Sequence, residues 1–265
     1  MPAADAPCPE QAFNATALKW HTCAWLLLPV LVFLAGWMHW YAALPLTLLT
    51  AAGLAPRKRK EPQTRDSLPA FPLFTRSSFL ALAAFAALMA LSGWGEWVNQ
   101  HPDHIVRNAC LRELVASPWP VIFPDGNVLI YNTGFWLVPA LAGKLAGLDA
   151  ARMLVVLWGA WGLFLSWLWL CVFSGRRSLL LALLMAAFGS LLNLQCWLGL
   201  NLFRLHYFGT AEQIMCSANA SIPVLLFFIF LASGRMPLYW MPILFAATAF
   251  YSPLAALGGL PLAAC

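Results

Sequence analysis

The sequence predicts an all-α polytopic membrane protein, namely a transmembrane helical bundle of about six to seven spans with a long outer loop containing amphipathic and interfacial helices. Of the 265 residues, 62% are hydrophobic and only 9% are charged, whereas a soluble domain carries about 25% charged residues. Several uncharged apolar runs also exceed the roughly 18 residues that are needed to cross the hydrocarbon core of a bilayer. These two observations exclude an ordinary soluble domain.

Apolar runs and the charged stretches between them divide the chain into six segments. These are an N-terminal polar segment at 1–22, a transmembrane hairpin at 23–55, a basic linker at 56–77, a span at 78–95, a polar loop at 96–151 and four further spans within 152–265. The hairpin is predicted because the first apolar run is too long for one untilted helix. Since Cys265 falls in or just after an apolar run, we expect the chain to be the N-terminal part of a longer protein.

The distribution of Lys and Arg predicts which side of the membrane each segment faces. The segment 57–76 and the turns at 176–177 and 235 hold nine Lys and Arg residues but only two acids. Basic loops remain cytoplasmic, so the loop at 96–151 is predicted to be extracytoplasmic. This orientation requires that 134–148 does not cross, and we therefore expect a helix that lies in the outer interface or dips into it.

Residues 96–131 form the longest polar segment between the apolar runs. Pro102 begins a helical pattern that should stop near Ser117, because the residue before a proline avoids helical geometry. The predicted apolar face of this helix consists of Ile105, Val106, Ala109, Leu111, Leu114 and Val115. Asp103 and Arg107 are four residues apart and share a face on which they can pair. A second polar row at the same spacing consists of His104, Asn108 and Arg112.

The carboxylates of this loop support different interpretations. Asp103 lies outside a span and beside cations, which makes it a functional candidate, while the helix dipole alone also favours an acid in a first turn. Both interpretations of Asp103 stay open. Glu96, at the mouth of its span, is interpreted as an ordinary interfacial residue, and Asp125 in Pro-Asp-Gly as a turn residue.

The elements between residues 78 and 177 follow a definite order. An outward span is followed by an acid that opens an amphipathic helix, by an aromatic interfacial helix ending in Lys-x-x-Gly, and by Ala-Arg at the start of the next span. In this chain the elements are Asp103, Tyr131-Asn132-Thr133-Gly134-Phe135-Trp136, Lys144-Leu145-Ala146-Gly147 and Ala151-Arg152. This layout resembles the N-terminal half of the GT-C superfamily of polytopic membrane glycosyltransferases, which use polyprenyl-phosphate sugars. The loop sequence is also similar to uncharacterised bacterial membrane proteins related to that superfamily.

The resemblance implies a site and a set of partners. Asp103 matches the acid that acts as the catalytic base toward the acceptor, and the side chains expected to bind substrate are Arg107, His104, Asn108, Arg152 and Arg204. The partners implied are a lipid-linked sugar donor, a glycan, lipid or protein acceptor, and membrane lipids. No nucleic-acid partner is expected. A divalent cation is a possible cofactor, for which His206 and Glu212 are candidate ligands, and the implied location is a bacterial inner membrane.

Other classes of function stay open from the sequence alone. A transport or flippase component, or an assembly subunit for lipid-linked glycans, is the main alternative, and the chain can also be an inactive relative of the enzymes. A haem protein is disfavoured because His39 is the sole histidine inside a hydrophobic stretch. The seven cysteines form no C-x-x-C pair. A disulfide between Cys110 and Cys216 is an open alternative to free thiols.

Overall fold

The computed structural model describes residues 15–56, 75–98, 100–188 and 209–258, and the described residues form helices and irregular turns without a strand. The helices are α1 (Ala15–Trp37), α2 (Trp40–Leu54), α3 (Arg76–Leu91), α4 (Pro102–Ala116), α5 (Gly134–Ala146), α6 (Leu148–Ser174), α7 (Leu179–Ala187), α8 (Thr210–Ala232), α9 (Met241–Tyr251) and α10 (Pro253–Gly258). A single 3-10 turn, Leu238–Trp240, precedes α9. The predicted all-α class is confirmed for this part of the chain.

Three of the described helices are long and apolar enough to cross a membrane, namely Thr16–Trp37, Leu148–Ser174 and Thr210–Ala232. Shorter apolar helices occupy Trp40–Leu54, Arg76–Leu91, Gly134–Ala146 and Leu238–Tyr251. The three long helices indicate a membrane-associated protein. The expected six to seven spans are not confirmed, because the hairpin divides its apolar residues between one long and one short helix. Most of the predicted span at 179–203 lies outside the described residues.

Helix α6 is the centre of the bundle, and small residues on it allow close packing. A methyl group added to Gly162 would lie 2.6 Å from Trp25 of α1 and 2.6 Å from Ile222 of α8, and one added to Gly159 would meet Met89 of α3. Trp25 is itself stacked between the rings of Trp158 and Tyr251. Glycines on a buried helix therefore bring three neighbouring helices against α6, as small residues commonly do in membrane bundles.

Helices α3 and α6 run in opposite directions, and their contacts define two distinct ends of the bundle. At one end, Arg177 follows α6 and contacts Ser78 at the start of α3. At the other end, Arg152 in the first turns of α6 contacts Glu96, which follows α3. We call the second of these the loop end. It also contains α4 and the segment 117–133.

Both ends of α5 lie at the loop end. Near its first residue, Phe135 contacts Trp94, and near its last turn Lys144 donates to the carbonyl of Ser117 at 2.5 Å. The helix expected at 134–148 corresponds to α5, and its position in the outer interface of a membrane stays a prediction. Seven of its residues are buried against its neighbours, and these are Gly134, Phe135, Trp136, Leu137, Pro139, Ala140 and Gly143.

Candidate functional site

Helix α4 carries four of the six predicted site residues, and its predicted boundaries are confirmed. It begins at Pro102, and Ser117 is its C-cap. The residues of the predicted apolar face divide between two sides of the helix, because Leu111 and Leu114 are buried whereas Ile105 and Val106 are exposed. The buried residues of α4 are His104, Arg107, Cys110, Leu111 and Leu114. Two polar side chains therefore point into the protein and two large apolar side chains point out of it.

Asp103 is the accessible carboxylate of this site. Its side chain is 53% exposed, and its Oδ2 lies 3.8 Å from Nη2 of Arg107 and 3.7 Å from Nδ1 of His101. These separations are too long for hydrogen bonds but short enough for an electrostatic attraction. The predicted pairing of Asp103 with Arg107 is thus present as a loose ion pair. The carboxylate remains open to an incoming group.

Arg107 is the buried cation beside Asp103. The residue is only 9% exposed, and its guanidinium carbon lies 5.6 Å from the centre of the Trp94 ring. Its Nε and Nη1 atoms are buried and have no hydrogen-bond partner. A buried guanidinium with unused N–H groups is costly, so these two donors are suited to bind an anion.

His104, which is one of the residues expected to bind substrate, is fully buried. Its Nδ1 accepts from the backbone N–H of His101 at 3.0 Å, and Nε2 pairs with the carbonyl of Met215 at 3.0 Å. Because both ring nitrogens have protein partners, no nitrogen is left for a ligand. Burial lowers the pKa of His104 below its ordinary value, and the charge of Arg107 lowers it further. The neutral ring acts as a link between α4 and α8.

A kink in α8 creates the acceptor that His104 uses. Ser217 has non-helical backbone angles, with φ −155° and ψ 43°, and this interrupts the helical hydrogen bonds of the preceding turn. The indole Nε1 of Trp94 donates to the carbonyl of Ile214 at 2.8 Å, beside the bond of His104 to Met215. The hydroxyl of Ser221 donates to the carbonyl of Ser217 at 3.0 Å. Side-chain donors thus reach backbone carbonyls at the kink and in the turn before it.

Glu96 is a central residue of this end of the protein that its sequence context did not reveal. Its backbone has a φ of +67°, a conformation that is uncommon outside glycine. Its side chain is only 8% exposed, and its Oε2 lies 2.5 Å from Nη2 of both Arg112 and Arg152. Burial raises the pKa of Glu96, but hydrogen bonds and charge from the two arginines outweigh burial and lower it. Its interpretation as an ordinary interfacial residue was wrong.

The other predicted binding residues have protein partners or lie elsewhere. Arg152 is bound to Glu96 and to Asp149, whose Oδ1 lies 2.9 Å from Nη1. Asn108 Nδ2 donates to Oε1 of Gln100 at 2.7 Å. Arg204 lies outside the described residues. The structure therefore brings Asp103 and Arg107 together and commits Arg152 and Asn108 to neighbouring side chains.

The two candidate ligands for a divalent cation are His206 and Glu212. No group of three or more His, Cys, Asp and Glu side chains suited to a metal occurs among the residues that are described. Glu212 Oε2 accepts from the backbone N–H of Gly209 at 3.1 Å and so caps α8, while His206 lies outside the described ranges. Cys110 and Cys216 are free thiols, so the structure does not contain the disulfide considered between them.

Asp125 is a turn residue, as its sequence predicted. Its Oδ1 accepts from the backbone N–H of Asn127 at 3.0 Å, and its Oδ2 accepts from the side-chain amide of the same residue at 2.6 Å. The two hydrogen bonds lower the pKa of Asp125. This carboxylate therefore stabilises the turn between the paired segments around Ile122 and Val128.

Comparison with known proteins does not assign the chain to a family. No protein family, no curated protein and no solved structure matches the chain.

Proposed function

We propose that this protein is a membrane glycosyltransferase that transfers a sugar from a polyprenyl-phosphate donor at the extracytoplasmic face, with Asp103 as the catalytic base. The observation that carries the proposal is the pair of Asp103 and Arg107. An accessible carboxylate lies 3.8 Å from a buried guanidinium that has two unused donor nitrogens. A base and an anion-binding group are the two functions that this transfer needs at one place.

The proposed reaction is a displacement at the anomeric carbon of the donor sugar. The acceptor oxygen forms a bond to that carbon as the bond to the phosphate oxygen breaks, and Asp103 takes the proton of the acceptor hydroxyl. The departing phosphate gains negative charge, and we expect the guanidinium of Arg107 to stabilise it. The location would be a bacterial inner membrane, with a lipid, glycan or protein as acceptor.

Arg152 has a supporting role in this proposal. Its ion pair with Glu96 holds the start of α6 to the turn after α3, and its second partner, Asp149, lies within α6. Its guanidinium is therefore a positioning group more than a free phosphate ligand. Arg107 is the better phosphate ligand of the two, because Asp103 is its single ion-pair partner among the described residues.

The experiment is sugar transfer by the purified chain in liposomes, with a panel of radiolabelled polyprenyl-phosphate sugars and a native membrane extract as acceptor. Asp103→Asn should lower the rate by about 10²-fold or more, since general-base catalysis contributes about 10²–10⁴-fold. Glu113→Gln is the matched control, because it neutralises a carboxylate of the same helix that is half-buried and not beside Arg107. Its rate should stay near that of the unmodified chain.

Two results would contradict the proposal. If Asp103→Asn transferred sugar at the rate of the unmodified chain, Asp103 would not be the catalytic base. A chain that binds the lipid-linked sugar and moves it across the liposome bilayer without transferring it would support the transport or assembly alternative.

A further inference from the structure

The exposed face of α4 is apolar, which is unusual for a helix in a polar loop. Ile105 is 69% exposed and Val106 is 58% exposed. The remaining exposed residues of this face are Pro102, Asp103, Ala109, Arg112 and Ala116. A helix that faced water would carry polar side chains at these positions, so the face is suited to an apolar surrounding.

Polar contacts hold α4 close to the ends of two other helices. Asn108 donates to Gln100, and Gln100 Nε2 donates at 2.9 Å to a backbone carbonyl in the turn that follows α3. Arg112 donates to Glu96, which also accepts from Arg152 of α6. Because these contacts lie at two points along α4, the helix is kept beside the bundle and does not extend away from it.

The position of Arg152 gives the level of the membrane boundary. Helix α6 has charged side chains at Asp149 and Arg152, and no charged residue follows until Arg176. The boundary of the hydrocarbon core should therefore lie just after Arg152. Arg112 reaches the same carboxylate as Arg152, so this part of α4 lies at the boundary.

Exposed apolar side chains also connect α4 to the surface of the bundle. Leu91 at the end of α3 is exposed, and so are Trp97 and Val98 in the turn that leads to α4. Trp favours the headgroup region of a bilayer. The apolar surface therefore continues along the chain from α3 to Ile105 and Val106.

We propose that α4 is seated in the bilayer interface, with Ile105, Val106 and Ala109 in contact with phospholipid at the boundary between headgroups and acyl chains. Interfacial helices bury their apolar face about 5–10 Å into this boundary. Arg112 lies on the same face and is 55% exposed, so anionic headgroups have a cation to approach. This inference does not rest on sugar transfer.

The test is carbene footprinting of the full chain in nanodiscs of phosphatidylglycerol and phosphatidylcholine. One diazirine probe partitions into the bilayer, a second is water-soluble, and mass spectrometry locates the label. Ile105 and Val106 should take the bilayer probe several-fold more than the water-soluble probe, as should Leu157 on the exposed side of α6. The turn at Asp125 should show the reverse preference.

A pair of variants tests the seating of α4 directly. Ile105→Lys combined with Val106→Lys should lower bilayer-probe labelling of Ala109 several-fold, because two ammonium groups leave the acyl region. Ile122→Lys combined with Val128→Lys, at the exposed paired segments, should leave the labelling of Ala109 unchanged.

Three results would overturn the inference. Preferential labelling of Ile105 and Val106 by the water-soluble probe would place the face in water. Protection from both probes that disappears when the protein is diluted would assign the face to a second copy of the chain. Equal loss of Ala109 labelling in both double variants would show that the change does not come from α4.

Discussion

Glu96 is the residue on which the loop end depends most for its ion pairs. Glu96→Gln leaves the guanidiniums of Arg112 and Arg152 without the carboxylate that they share. The free energy of unfolding should fall by about 1–3 kcal/mol, less than for a fully buried pair because Arg112 is partly exposed. The measurement is unfolding by a denaturing detergent, followed by near-ultraviolet circular dichroism.

The control for this prediction is Asp149→Asn. It removes the other carboxylate bound to Arg152, but the Asp149 side chain is almost fully exposed and such pairs contribute little. Its stability should match that of the unmodified chain. Equal losses in both variants would show that Glu96 has no special part in holding α4 to α6.

The buried neutral ring of His104 predicts that stability falls in mild acid. Its pKa is lowered from 6.5 in the folded protein, so below about pH 6.5 the unfolded chain binds a proton before the folded chain does. The free energy of unfolding should therefore decrease as the pH falls from about 6.5 toward the lowered value. The lowered pKa of Glu96 changes the free energy of unfolding only below about pH 4.5. The pH effects of His104 and Glu96 therefore do not overlap.

Detergent unfolding between pH 7.5 and 5 tests this prediction. His104→Gln removes the titrating group while its amide can still donate to Met215, so the slope of stability against pH should become smaller. His39→Gln, at the turn between α1 and α2, should keep the slope. A slope that is unchanged in His104→Gln would refute the assignment.

Single residues were the least predictable part of the site. Asp103 and Arg107 were found because a spacing of four residues places them on one helix face. The roles of Glu96 and His104 depend on Arg152 and Met215, which lie 56 and 111 residues away in the chain. The glycines on either side of Trp94, both with positive φ, were the available signal of a tight turn before Glu96.

At the scale of the helix, the packing of α6 predicts a specific sensitivity. Gly162→Ala places a methyl group 2.6 Å from both Trp25 and Ile222, so α1 or α8 must move. The free energy of unfolding should fall by about 1–3 kcal/mol, which is the usual effect of overpacking a core. The measurement is detergent unfolding monitored by tryptophan fluorescence.

Gly258→Ala is the matched control for this prediction, because a methyl group there would meet nothing within 4 Å. It should leave the unfolding midpoint unchanged. If Gly162→Ala also leaves the midpoint unchanged, then α6 does not determine the spacing of its neighbours.

The helices themselves were easier to predict than their orientation. The proline at the start of α4 and the Ser-Pro pair at its end fixed its boundaries from local sequence. Hydrophobicity alone did not predict which side of α4 is buried. His104 is buried against a carbonyl at the α8 kink, and Arg107 is buried against the ring of Trp94. These partners are distant in the chain, so the pattern of residues within α4 does not predict them.

At the scale of the whole molecule, the charges predict the orientation in the membrane. The described carboxylates lie at the loop end or in α4 and its neighbouring turns, and they are Glu96, Asp103, Glu113, Asp125, Asp149 and Glu212. Arg176, Arg177 and Arg235 follow the opposite ends of α6 and α8. Since positive ends remain cytoplasmic, an epitope inserted after Gly126 should bind antibody on spheroplasts, whose outer membrane has been removed.

The matched insertion is after Gly175, where the chain turns at the basic end with a φ of +65°. Both glycines have open space around them, so the two insertions should disturb folding equally little. The Gly175 epitope should bind antibody only after permeabilisation. Antibody binding to the Gly175 epitope alone on unpermeabilised spheroplasts would show that the orientation is the reverse of the predicted one.

The stack around Trp25 has a consequence for how the protein is made. Trp25 belongs to the first helix, yet its ring lies against Trp158 and Tyr251, and its carbonyl accepts from the Tyr251 hydroxyl at 2.7 Å. The ribosome adds Tyr251 226 residues after Trp25. During synthesis α1 must therefore wait in the membrane with part of its packing surface facing lipid or the insertion machinery, until α9 has been made.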